Sequence, residues 1–225
     1  MANLTQLKML ENLDGFLLVD KPVGIAFSTI VKTVKRKFNL VKVGHGGSLD
    51  AMASGLMILL INDANKFVGD VMGADREYTG IIRLGMTTDT GDIHGRPTKP
   101  PTQLPDVSEF KGDIFQTEPR YCSVRKEGSA DYEIADTGDH QQFLAHVYRL
   151  EMKPTDKGSM AFELKASKGV IVRALANDMG GVLESIRRTK IGKFDVADAV
   201  SFDKLLNLEM KDFAECVMPL SKALL

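Results

Sequence analysis

Two hydrophobic periods take turns along the chain. GFLLVDKP (Gly15 to Pro22) is a short apolar run closed by proline and reads as a strand. Ile30, Val31, Val34 and Phe38 then recur at helical spacing, with Ser28 placed to cap a helix through VKTVKRKF and the basic residues largely on its other face. LMILLI (Leu56 to Ile61) is continuously apolar between polar flanks, the pattern of a strand buried on both faces. Ala64, Phe67, Val68 and Val71 fit a short amphipathic helix. REYTGIIRLG (Arg76 to Gly85) reads as a strand. HVYRLEM (His146 to Met152) and MAFELKAS (Met160 to Ser167) read as a strand pair, the second alternating Met160, Phe162, Leu164 and Ala166 with polar residues. Val172, Leu175, Ala176, Met179, Val182 and Leu183 mark an amphipathic helix, and the ending FDKLLNLEMKDFAECVMPLSKALL is expected to be helical. Strands come in runs and do not alternate with helices as βαβ units. The expected fold is therefore α+β, with helices flanking a mixed, mostly antiparallel sheet. MTTDTGDIHGRPTKPPTQLP, from Met86 to Pro105, has no period, and a stretch that long is either functional or mobile.

Composition narrows the class. The chain has 225 residues, 44% of them hydrophobic, which is core enough for one globular unit or for one large and one small lobe. Two cysteines, Cys122 and Cys216, make no disulfide framework and read as reduced intracellular thiols. The start, MANLTQLKMLENLDG, lacks the pattern of a signal peptide, and no apolar run approaches the ~18 residues of a membrane span. A cytoplasmic protein with no membrane partner is expected. The net charge of −1 argues against a nucleic-acid partner, but it hides an uneven distribution. Lys32, Lys35, Arg36, Lys37 and Lys42 form one acid-free run, and Arg187, Arg188, Lys190 and Lys193 form another. Such runs are either solvated faces or a footprint for phosphates.

Candidate chemistry centres on GHGGSLDAMASG, Gly44 to Gly55. Its glycines lack the lysine of a P-loop and the spacing of a dinucleotide fingerprint. The four histidines, His45, His94, His140 and His146, have no paired spacing for a metal. No G-x-S-x-G elbow is present for a serine nucleophile. Asp50 either caps a turn or is a carboxylate held for chemistry that needs no cofactor.

GFLLVDKPVGIAFS, VKVGHGGSLDAMASGLMIL and REYTGIIRLGMTTDTGDIHG, followed by FKGDIFQTEPRYCSVRKEG, LKASKGVIVRALANDMG and IRRTKIGKF, resemble in order and spacing the TruB family of tRNA pseudouridine synthases. The resemblance runs over about residues 14 to 220. It implies a single catalytic domain over residues 1–225 that converts uridine 55 of the tRNA T loop to pseudouridine, with no cofactor and no metal. In that family the aspartate of the G-H-x-G-x-L-D motif is the essential residue, here Asp50. His45 of the same motif lies by the RNA. Tyr78 stacks on the target base, Arg173 pairs with the catalytic aspartate, and Ile186 lines the base pocket. Asp20, Lys21 and Pro22 form the D-K-P element under the site. Gly47, with no side chain, lets backbone come close to RNA. Lys21, Gly47, Arg187 and Arg188 are thereby expected, with His45 and Ile186, on the substrate-binding side, and Lys35 and Arg36 join Arg187 and Arg188 as candidates for phosphate contacts.

The reaction breaks C1′–N1 of the uridine, turns the base and rejoins it through C5. Taking the base from its stack costs a few kcal/mol, and stacking on Tyr78 returns about 1–3 kcal/mol. Asp50 then acts as nucleophile at C1′ or as base at C2′, and both routes need it ionised.

Departures from the family are also visible. Ile171 stands where tyrosine is common and Arg125 where lysine is frequent, and the segment from Gly180 to Ile186 is several residues shorter than usual. The chain ends near Leu225 with no room for a C-terminal PUA domain, so weaker tRNA binding, carried mostly by the catalytic domain on the T arm, is expected; a monomer is expected as well. These departures sustain a second reading, an RNA-binding chaperone for tRNA folding with weak or no catalysis, and a third, modification of another RNA. A chaperone, however, has no physical use for a carboxylate facing phosphates.

Overall fold

The computed structural model describes residues 13–99, 106–117, 121–125, 132–136, 142–155 and 158–223, with backbone only for 121–125 and 132–136. Residues 100–105 of the aperiodic stretch from Met86 to Pro105 lie outside them, as do His140 and the side chains of Cys122 and Arg125. In chain order the elements are β1 (Gly15–Lys21), α1 (Phe27–Lys37), β2 (Val43–His45), β3 (Ser54–Ile61), α2 (Val68–Gly73), β4 (Arg76–Leu84), β5 (Thr87–Thr88), β6 (Pro97–Thr98), β7 (Gly112–Thr117), β8 (Tyr121–Arg125), β9 (Tyr132–Asp136), β10 (Gln142–Pro154) and β11 (Met160–Ala166). Then come α3 (Val172–Asp178), β12 (Gly181–Ile191), β13 (Phe194–Asp195), β14 (Val200–Ser201), α4 (Phe202–Asn207), α5 (Met210–Cys216), β15 (Val217–Pro219) and α6 (Leu220–Ala223). They fall into two compact units, Met1–Ala74 with Arg188–Leu225, and Asp75–Arg187.

In the first unit β1 lies antiparallel to β3, from Gly15 opposite Ile61 to Lys21 opposite Gly55. On its other edge β1 pairs with β14 in parallel and with β15 antiparallel. β2 pairs with the far half of β3, His45 opposite Leu59. All six residues from Leu56 to Ile61 are at most 1% exposed, so β3 is buried on both faces as its apolar run requires. Phe16, Leu18, Leu56, Ile58 and Leu60 pack with Ala64, Val71 and Ile191 in one core. The helix α1 buries Phe27, Ile30 and Val34. It begins at Phe27 after Ala26, with no side-chain cap, so Ser28 sits inside the first turn and not at the cap. Burial of Phe27 sets this start, a tertiary contact outweighing about 1 kcal/mol of capping. The amphipathic stretch after β3 opens as a 3-10 turn, Asn62–Phe67, before α2. The C-terminal segment, expected to be helical throughout, is three short helices interrupted by β15, whose Val217 pairs with Leu17.

Gly55, the second residue of β3, has φ +104°, and a side chain there would run into the Arg188 carbonyl oxygen. Both the backbone angle and the contact forbid a methyl group. Gly55→Ala is expected to cost at least about 2 kcal/mol in urea unfolding; a loss under about 0.5 kcal/mol would contradict this geometry.

In the second unit the strand order is β12-β4-β11-β10-β7. β4 with β11, β11 with β10, and β10 with β7 are all antiparallel, and β10 carries an irregularity between Val147 and Arg149. The buried face holds Tyr78, Ile82, Leu150, Phe162, Leu164 and Ala166. The expected helix from Val172 to Leu183 is shorter: α3 stops at Asp178, Gly180 turns the chain with φ +73°, and Val182 and Leu183 are buried in β12. Both states bury those two residues, so their apolar character did not distinguish them; the left-handed glycine did. β8 and β9 form a separate hairpin. Helices with predominantly antiparallel strands make this an α+β fold.

Candidate active site

Asp50 sits in the first unit, in the loop between β2 and β3. The loop is built mostly from backbone. Gly46 N donates to Ile58 O (2.9 Å), Gly24 N to Ala51 O (2.7 Å), and Ala53 N to Asp50 O (3.1 Å). The turn following the aspartate is thus closed through its main chain.

Two buried cations hold this loop from below. Lys21, at the end of β1, is fully buried, and its Nζ donates to the carbonyls of Pro22 (2.9 Å), Ala51 (3.3 Å) and Ala53 (2.5 Å). Arg188, on β12, is 2% exposed. Its Nε donates to Leu56 O (2.8 Å), Nη1 to Ser48 O (3.0 Å) and Nη2 to Gly47 O (3.3 Å). A buried charge is tolerable only when hydrogen-bonded, and carbonyl oxygens satisfy both of these. The sequence placed Arg188 among phosphate contacts and Lys21 on the substrate-binding side. The structure turns both inward, where they brace Gly47, Ser48, Ala51 and Ala53 around Asp50.

Burial lowers the Lys21 pKa from 10.5 to about 8; Asp50 nearby works against that shift and Arg188 adds to it. The folded protein therefore releases this proton at lower pH than the unfolded chain does. Charged Lys21 costs the fold stability at and below about pH 8, and the cost is relieved as pH climbs from about 8 towards 10.5. Between about pH 7.5 and about pH 9.5 the wild type is expected to gain stability relative to Lys21→Met in urea unfolding. Parallel pH profiles for the two proteins would show that Lys21 is not the group responsible.

His45, on β2, is half-buried, with its ring centroid 5.0 Å from that of Phe27. Its Nδ1 accepts from Gly47 N at 3.3 Å, which leaves the proton of the neutral ring on Nε2.

Tyr78, Arg173, Ile186 and Arg187 belong to the second unit. Tyr78 lies on the buried face of β4, 7% exposed, opposite Leu164 of β11. Arg173 is in the first turn of α3, 8% exposed, and its Nη1 donates to Thr90 O at 2.6 Å. Residues 89–96 of the aperiodic stretch are tied down beside that contact. Ile93 N donates to Leu183 O and Leu183 N to Gly91 O, while the Asp89 and Asp92 carboxylates accept from Arg96 N and His94 N. Ile186 is buried in β12 and Arg187, beside it, is half-buried. Ile171 precedes α3, and its backbone is held at both ends by one side chain: Gln116 Oε1 accepts from Ile171 N (3.0 Å), and Gln116 Nε2 donates to Ile171 O (3.2 Å).

Sequence reasoning missed the bracing role of Arg188 and the fixing of Ile171 by Gln116. One signal for the first was available. Ile186 and Arg188 are two apart on a strand and share a face, so a pocket-lining Ile186 implied an inward Arg188. No group of three or more metal-ligating side chains occurs among the described residues, and no helix there is long and apolar enough to cross a membrane.

Comparison with known proteins agrees with this fold. The family described as "TruB family pseudouridylate synthase (N terminal domain)" matches residues 35–172. A "tRNA pseudouridine synthase B" of Aromatoleum aromaticum is 36% identical over 208 residues, covering 85% of this chain and 68% of that protein. Another of the same name, from Opitutus terrae, is 34% identical over 230 residues and covers 95% of both chains. Among solved structures, a chain in the "Crystal Structure of a Cbf5-Nop10-Gar1 Complex" superposes with a TM-score of 0.68 at 23% identity, a likeness of fold. It covers 96% of this chain, which spans 63% of that longer one. The chain belongs to the TruB family of pseudouridylate synthases.

Proposed function

We propose that this protein is a tRNA pseudouridine synthase that isomerises uridine 55 of the T loop, with Asp50 as its catalytic residue. It is an isomerase of RNA uridine, as its family is. The observation that carries the assignment of Asp50 is the bracing of its loop. Two buried cations and three backbone hydrogen bonds hold the backbone around one half-buried carboxylate. Such a frame preserves geometry that a mobile loop would lose.

The base leaves its stack, Asp50 acts on the ribose as the C1′–N1 bond breaks, and the detached uracil turns so that C5 bonds to C1′; C5 then gives up its proton and N1 ends protonated. Tyr78 is assigned the stacking contact, Arg173 the counter-charge given to it by the family motif, and Ile186 an apolar wall that keeps water from the intermediate. His45 and Gly47 meet the RNA from the loop, and Arg187 contacts phosphate. The family match begins in one unit and ends in the other, which supports reading residues 1–225 as one catalytic domain. The protein acts in the cytoplasm, as a monomer on the T arm, without cofactor or metal.

Tritium release from C5-labelled uridine in a tRNA transcript tests the reading. Release that disappears when the T-loop uridine is replaced supports it. Release that persists after the replacement assigns the enzyme another target, and binding without release leaves the chaperone.

A further inference from the structure

Arg173 is held at its tip and at its root. At the tip, Nη1 donates to Thr90 O at 2.6 Å. At the root, the Arg173 backbone lies against Gly91, where φ is +74° and a Cβ would come 2.6 Å from the Arg173 carbonyl oxygen. Both contacts come from the loop after β4. A further hold acts two residues earlier, at Ile171, and comes from β7, the last strand in the sheet order of the second unit.

Gln116 lies on β7 and is fully buried, a place a primary amide occupies when it is hydrogen-bonded. Its Oε1 accepts from Ile171 N at 3.0 Å and its Nε2 donates to Ile171 O at 3.2 Å. Only one orientation of the amide satisfies both, because the backbone N–H needs the oxygen and the backbone carbonyl needs the nitrogen. Ile171 is where α3 starts. It is extended, with φ −97° and ψ 102°, and makes no side-chain cap. Its carbonyl also accepts the first helical bond, from Leu175 N at 3.0 Å. In a capping box, a glutamate three residues into the helix takes the N–H at the start. That position here is Ala174, and Gln116, 55 residues away, takes the N–H instead. α3 has seven residues, so tertiary contacts and not its own propensity fix its start. The amide that fixes Ile171 therefore fixes where the Arg173 side chain leaves the helix.

We infer that Gln116 is a positioning residue for the reaction, acting through the Ile171 backbone to set the start of α3 and with it the root of Arg173. This rests on the pseudouridine synthase reading, which gives Arg173 its role. The hold is on the main chain, so it does not depend on which side chain stands at position 171.

The test is single-turnover pseudouridine formation on a tRNA transcript with the full-length protein in excess, read together with transcript affinity and amide hydrogen exchange in α3. Gln116→Met keeps the length of the side chain and removes both hydrogen bonds. It is expected to lower the rate about 10- to 100-fold, as a displacement of about 1 Å does, while affinity stays within about threefold. Exchange at the Ile171 amide and through the first turn of α3 is expected to quicken. In an Arg173→Lys background, where the planar fork is already gone, the same change is expected to add less than about threefold. A Gln116→Met rate within about twofold of wild type overturns the role. So do losses that multiply in the two backgrounds, and so does a slowed reaction with α3 exchange unchanged. If Gln116→Met does not unfold cooperatively, Gln116→Glu takes its place with the same expectations, since it keeps the length and the acceptor for Ile171 N and loses the donor to Ile171 O. Absence of pseudouridine with the wild type overturns the enzyme reading and this role with it; faster α3 exchange in the variant then leaves Gln116 a structural clamp alone.

Discussion

Asp50→Asn is expected to abolish pseudouridine formation, by more than about 10⁴-fold in kcat, while tRNA binding stays within a few fold. The substitution keeps the shape of the side chain and removes its charge. It keeps the carbonyl contacts of the loop frame: Ala53 N on the Asp50 carbonyl, Lys21 on those of Ala51 and Ala53, and Arg188 on those of Ser48 and Gly47. Loss of turnover would then report chemistry and not misfolding. A second readout separates these further. Asp50 favours the charged form of Lys21, so in Asp50→Asn the Lys21 pKa should fall below its value of about 8 while melting stays cooperative. Turnover within tenfold of wild type would remove Asp50 from the mechanism. Loss of turnover together with loss of cooperative unfolding would show that the carboxylate is structural.

Arg188→Met is expected to produce the largest stability effect among the basic residues. It strips partners from three carbonyls, those of Gly47, Ser48 and Leu56, two of them in the loop that carries Asp50. The bond to Leu56 O is buried, while those to Ser48 O and Gly47 O are only part-buried and open to water; at about 1–3 kcal/mol for a buried acceptor left without a donor, a loss of about 2–3 kcal/mol is expected in urea unfolding. Activity should fall too, because Ser48 and Gly47 set the approach to Asp50. Arg188→Lys keeps the charge but not the planar fork, and one ammonium cannot serve all three oxygens in the same geometry; an intermediate loss is expected. By contrast Arg187→Met, at the neighbouring strand position, is expected to weaken RNA binding. A melting temperature in Arg188→Met within a degree or so of wild type would contradict the bracing role.

What the sequence disclosed follows from which signals are local. Leu56 to Ile61 read as a doubly buried strand because six consecutive apolar residues leave no polar face to expose. The strand pair β10 and β11 was visible through alternation. The start of α1 was misread because Ser28 is a competent cap, and only the tertiary burial of Phe27 moves the boundary. The end of α3 was misread because Val182 and Leu183 continue the helical spacing, while the turn at Gly180 depends on a φ that no periodicity carries. In the site, Asp50, Tyr78 and Arg173 were singled out by motif resemblance, which names residues and not their surroundings. The inward turn of Arg188 was missed because it was read from its charge run and not from its two-residue spacing from Ile186, whereas Lys21 was read under the site through the D-K-P element. Gln116 was invisible: a buried glutamine bonded to the Ile171 backbone has no sequence signature apart from its alternation with Ile114.

The most direct test of the central claim is nucleotide-resolution mapping of pseudouridine in an unmodified tRNA transcript incubated with purified wild-type protein and, in parallel, with Asp50→Asn. The expected result is one modified position, uridine 55 of the T loop, formed by the wild type and absent with the variant. A transcript that is bound by both proteins and modified by neither would contradict the account, and so would modification that survives the loss of the Asp50 carboxylate.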